Sequence, residues 1–241
     1  MRSIWVITKR ELASFFDSLI AYIILILFLG FSGFFTWIYG SDIFLVGQAS
    51  LSVFFNVAFW TLFFFIPAIT MRMLAEEKKT GTIELLLTKA VTDQQVVLGK
   101  FFACFFLVAI AILSTLTYYI TVANIGNVDH GAIISGYFSL LLMSAAYISI
   151  GLFASSVTNN QIVAFLMALA IGLFFQLIFN VMAGNFTGFM GELFQSLSLS
   201  SHFDSMARGV IDTKDLIYFL SIVVLGIKFS EMNLTKRKLI S

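Results

Sequence analysis

Charge is scarce in this chain: 11% of its 241 residues are Asp, Glu, Lys or Arg, less than half of the roughly 25% usual in soluble domains. Cysteine and proline are nearly absent, with only Cys104 and Pro67. A lone cysteine inside an apolar run excludes a disulfide framework and a CxxC metal knuckle. The apolar runs do not alternate polar and apolar residues, which excludes porin-like strands. Two histidines, His130 and His202, stand near Asp129 and Asp204; two distant His residues do not define a metal site, and surface or capping roles are expected. No G-x-x-x-x-G-K-[ST] occurs, so the chain carries no P-loop.

Greasy residues are what the chain has. Sixty per cent are hydrophobic, Phe alone contributes 29, and mean hydropathy is +1.00. Six apolar runs can be read, at 20–39, 51–71, 101–123, 132–154, 161–183 and 214–229. A bilayer core of roughly 30 Å needs about 20 helical residues, which the first five supply. The sixth is charge-free only from Leu216 to Ile227 and spans if Lys228 snorkels to the interface. The expected fold class is all-α: a polytopic integral membrane protein with six transmembrane helices, read as one domain over residues 1–241.

Six spans put both termini on one side, and the positive-inside rule says which. That side holds twelve of the fourteen Lys and Arg residues; only Arg208 and Lys214 lie on the other. Cytoplasmic termini are therefore expected. Residues 1–19 lack the cleavage site of a signal peptide. They place Ile4, Trp5, Leu12, Phe15, Phe16 and Leu19 on one helical face, with Arg10, Ser14, Asp17 and Ser18 opposite, the pattern of an N-terminal interfacial helix. At 184–213, Phe189, Leu193 and Leu197 repeat at i, i+4 and i+8, and Ser201 can cap a second short helix ending at Gly209. Two outer-leaflet helices are expected there.

The wettest segment lies between the second and third runs: "RMLAEEKKTGTIELLLTKAVTDQQVVLGKF", residues 72–101. Gly81 and Thr82 can open a short helix striped by Ile83, Leu86, Leu87 and Ala90. Thr92 stands three residues before Gln95, a capping-box spacing that starts a new helix near Asp93. A loop that only enforced topology would not need "TIELLLTKAV", whose leucines would form an exposed apolar patch. The pattern suits a docking surface for a cytoplasmic protein better than a solvated loop, although leucines lying flat on lipid would also account for it.

Here "LAEEKKTGTIELLLTKAVTDQQVVLGKFFA" resembles the cytoplasmic loop between the second and third spans in permease subunits of type-2 ABC exporters. The likeness rests on Glu76, Glu77, Lys78, Gly81, Thr82, Glu84, Leu85, Leu86, Gly99 and Lys100. "TKRELASFFDSLIAYI" is similar to the family's connecting helix, and "SSHFDSMARGVIDTKDLIYFLS" to its pattern between the fifth and sixth spans. Within the family the chain is most similar to permeases associated with gliding motility.

The resemblance implies a cytoplasmic coupling helix within 72–100. Glu76, Glu77, Lys78, Gly81, Thr82, Glu84, Leu85, Leu86 and Leu87 would engage an ABC ATP-binding subunit. It implies no catalytic residue and no cofactor in this chain, ATP and Mg being held by the partner. It also implies pairing with a second permease copy or a related membrane subunit in the bacterial inner membrane, and no nucleic-acid partner. Within the spans no ionisable residue marks an ion path. Asn56, Gln176 and Asn180 are candidates to line a substrate path, with interhelical hydrogen bonding as their plainer role. Ala145, Ser149, Gly151 and Ser155 suit close helix packing, within the chain or between copies. A non-transporting membrane anchor for an ATPase or a motility complex is the alternative function.

Overall fold

The computed structural model describes residues 2–39, 49–82 and 91–238. Among them every regular element is helical. Five helical stretches are long and apolar enough to cross a membrane: Ile20–Trp37, Ser52–Thr80, Asp93–Ile125, His130–Val157 and Gln161–Asn185. They match the first five apolar runs to within a few residues, except that the second and third extend well past the grease into the polar segment. In the numbering used below, α1 is Arg2–Asp17, α2 Ile20–Trp37, α3 Ser52–Thr70 and α4 Ala75–Thr80. Next come α5 Asp93–Ser114, α6 Leu116–Ile125, α7 His130–Val157 and α8 Gln161–Leu173. A π-turn over Phe174–Ile178 leads into α9 Phe179–Asn185, then α10 Phe189–Leu197, α11 Leu199–Ala207 and α12 Thr213–Lys238.

Helix α7 is the axis. In its most apolar stretch 78% of residues are buried, against 22% for α2 and for α8 with α9. Its small residues explain this, because they let neighbours approach backbone to backbone. A Cβ on Gly151 would collide with Thr70 Oγ1, and one on Gly226 of α12 would meet the Ser149 backbone carbon at 2.8 Å. Ser149 Oγ also donates to the Ile222 carbonyl at 3.2 Å. The small-residue stripe read from the sequence is thus spent on packing within the chain. Around it one continuous core takes in Phe54, Leu62 and Ile66 of α3, Leu107 and Ile112 of α5, and Phe219 of α12.

Local signals decide where helices begin. Thr92 Oγ1 accepts from Gln95 N while the Gln95 side chain accepts from Thr92 N, the capping box expected from the spacing. Asp129 caps α7 by accepting from Ala132 N. The cap of α11 is Ser198, which accepts from Ser201 N; Ser201 itself is three residues inside the turn. Gly209 ends that stretch at φ +97°. His202 does not pair with Asp204, its neighbour in sequence. It is buried against Asp215 at the head of α12, a partner that only the fold brings close.

Helix α1 lies across α5, not alone on lipid. Its buried residues are Ile7, Thr8 and Phe15, and Thr8 Oγ1 donates to the Gly99 carbonyl at 3.1 Å. The contact needs a glycine, since a Cβ at Gly99 would sit 2.6 Å from Ile7 Cγ2. Trp5, Val6 and Leu19 point outward, 60%, 61% and 74% exposed. The amphipathic pattern therefore packs one flank of α1 on the protein and leaves large apolar side chains exposed on the other.

Candidate coupling site

Helix α3 does not run straight into α4. After Thr70 the chain makes a turn through 71–74, which strands backbone groups inside the protein, where each must find a partner. Ser155 of α7 provides for three of them. Its hydroxyl accepts from Leu74 N and Ala75 N, each at 3.0 Å, and donates to the Met71 carbonyl at 2.9 Å. One serine thus holds the break between the second span and the polar segment. The next residue of α7 adds a second tie, the Ser156 carbonyl accepting from Lys78 Nζ. From α12, Asn233 Nδ2 donates to Ser156 Oγ at 3.1 Å.

The charges of the segment then close on its other foot. Lys100, 1% exposed on α5, sits 2.7 Å from Glu77 Oε1 and 3.5 Å from Glu11 Oε1 of α1. Arg10 lies 3.8 Å from the same Glu77 oxygen. Arg72 stacks over the Phe15 ring at 5.1 Å, a contact between the guanidinium and the ring quadrupole. Burial alone would raise the Glu11 carboxyl. The Lys100 charge, with Arg10 helping, outweighs it and holds the group below its ordinary value. Beyond Lys100 the exit foot is tied as well, Thr235 Oγ1 of α12 donating to Asp93 Oδ2 at 3.2 Å.

These ties enclose a cleft of about 370 Å³ between α1 and α4, walled by Glu11, Arg72, Glu76, Glu77, Thr82 and Lys100. Glu76 is exposed at its rim and Lys78 half-buried. Gly81 closes α4 at φ +72°, a left-handed conformation that favours glycine. It therefore ends the stub helix, and Thr82 follows it. Glu84, Leu85, Leu86 and Leu87 lie outside the described residues. Sequence reasoning found Glu76, Glu77, Lys78 and Lys100 but missed Glu11, Arg72, Ser155 and Thr235. Arg72 opens the polar segment itself, whereas no spacing relates Glu11, Ser155 and Thr235 to the loop; α1, α7 and α12 carry them there.

The path-lining candidates are dispersed. Gln176, 2% exposed, accepts from Tyr147 OH, and its carbonyl, part of the π-turn, accepts from Ser200 Oγ at 2.9 Å. Asn56 and Asn180 are exposed on the outside of the single chain.

With the fold and the clamped segment described, the comparisons become informative. Residues 5–222 match the family described as ABC-2 family transporter protein. The chain belongs to that family. Among curated proteins none matches it closely enough to be a relative. Membership makes this chain a multi-pass transporter membrane subunit, a permease and not the ATPase, of the kind that works with an ABC ATP-binding subunit. The matched stretch contains α1 from its fourth residue, the whole polar segment and helices α10 and α11, so both feet of the segment lie in the family region, while their α12 partners Asn233 and Thr235 lie past its end.

Proposed function

We propose that this chain is the permease half of an ABC exporter, driven through residues 72–100 by a separate ATP-binding subunit on the cytoplasmic face of the bacterial inner membrane. The observation that carries the reading is the double clamp. Residues 71–80 are tied to α7 and α5, and residues 93–100 to α12, α4 and α1. A push on the segment between them would reach α1, α7 and α12 through the two feet. Glu84, Leu85, Leu86 and Leu87 form the gripping surface in this reading, with Glu76, Glu77, Lys78, Gly81 and Thr82 as its root.

Helix α12, 26 residues long, is the sixth span, which puts both termini in the cytoplasm with the basic residues. Two copies, or this chain with a related one, form the working unit. Asn56 and Asn180, outward on the single chain, then face the joint between copies, and the cargo path runs there. The physiological role is linked to gliding motility.

Co-expression with the cognate ATP-binding subunit tests this. Glu84→Lys is expected to weaken capture of the ATPase while the helices keep their thermal stability. Wild-type capture by that variant would sink the assignment of the gripping surface.

A further inference from the structure

At the end of the bundle away from the termini, a cavity of about 290 Å³ is lined by Glu192, Ser196, His202, Arg208, Lys214 and Asp215. His202 Nε2 lies 3.0 Å from the Ser196 carbonyl, which can only accept, so Nε2 carries hydrogen. The other ring nitrogen, Nδ1, lies 2.6 Å from Asp215 Oδ1. Atoms that close need a proton between them; otherwise a lone pair would face a carboxylate. The Asp215 carboxylate is buried, and its Oδ2 has no hydrogen-bond partner among the described residues. The Tyr218 ring stacks on the imidazole at 4.0 Å, and Tyr218 OH donates to the Leu197 carbonyl at 2.7 Å.

We propose that His202 and Asp215 form a proton-held latch, closing the outer helices α10 and α11 onto the head of α12 while the pair shares one proton and releasing them when it is lost. Helix α11 is the moving part, since among the described residues its side-chain hydrogen bonds to other helices are those of His202 to Asp215 and the Ser196 carbonyl and that of Ser200 to the Gln176 carbonyl. Other charged and titratable groups surround the pair. From α10 comes Glu192, and from α11 and its end come Asp204 and Arg208. From α12 come Lys214, ion-paired to Asp212 at 3.4 Å, and Tyr218. Helix α7, packed along α11, has Asp129, which caps its first turn, His130 bonded to Tyr119 OH, Tyr137 and Tyr147. The π-turn and α9 contribute amides but no titratable group.

Hydrogen exchange on the whole chain in lipid nanodiscs, corrected for intrinsic rates from about pH 5 to about pH 9, reads the latch directly. Protection over 199–207 is expected to fall roughly tenfold per unit of pH once release begins, the dependence of one lost proton. Protection over 140–155 should not change. Asp215→Asn, whose amide can donate to a neutral Nδ1, should stay protected with no pH dependence. His202→Phe, which keeps the stack but not the proton, should be open throughout. A flat wild-type profile overturns the proposal, and so does an Asp215→Asn profile with the wild-type slope. The second comparison decides even if His202→Phe does not fold.

Discussion

Lys100 shows how one buried charge can organise several helices. Four charged groups gather where α1, α4 and α5 meet, Lys100 and Arg10 each lying within 4 Å of both Glu77 and Glu11, and removing the ammonium would leave the two carboxylates with Arg10 as their remaining ion-pair partner among the described residues. A buried ion pair is weak evidence of net stability, but taking away one partner is costly. Lys100→Met is therefore expected to destabilise the chain by about 3 kcal/mol, read as thermal unfolding in detergent. Lys100→Met with Glu77→Gln should recover more than half of that loss. A single variant as stable as the wild type would show that the ammonium is not organising the cluster.

Glu11 makes the same site sensitive to acid. Its carboxyl is held below the ordinary glutamate value of 4.5, so its stabilising effect is complete above that value and lost as pH falls through the lowered one. Stability measured from about pH 7 to about pH 3 should drop in that window, and Glu11→Gln should remove part of the drop.

Among the elements, the break between α3 and α4 decides how the polar segment leaves the bundle. Ser155→Ala would leave the amides of Leu74 and Ala75 buried without their partner, a loss of about 1–3 kcal/mol. Exchange at those two amides should speed up in this variant more than at neighbouring residues. If they stay protected, some other group holds the turn. Nothing in the sequence around residue 74 points to Ser155, which lies 81 positions further on. By contrast the apolar runs and the Thr92–Gln95 capping box were legible, because hydropathy and capping are local properties. Ser198 against Ser201 shows the limit even of local reading, since both serines suit a helix start and backbone geometry chose between them. His202 shows the larger limit. The sequence places it near Asp204 and suggests a surface or capping role, while its partner Asp215 sits across a turn on another helix.

On the scale of the whole molecule, the proposed function separates gripping from transmitting and assigns them to different residues. The leucines and Glu84 would hold the ATPase, whereas Ser155 and Thr235 hold the feet of the segment to α7 and α12. Two variants of the assembled transporter in lipid separate these tasks. Leu85→Asp with Leu86→Asp should lose the complex itself. Ser155→Ala with Thr235→Val should keep the complex, because the gripping surface is intact, yet lose severalfold in ATPase stimulation, because the stroke is spent in a loosened hinge. Full stimulation in that second variant would mean that force enters the bundle elsewhere, the Lys100 cluster on α5 being the remaining rigid route. Loss of the complex in both variants would mean that the feet shape the grip and are not a separate relay.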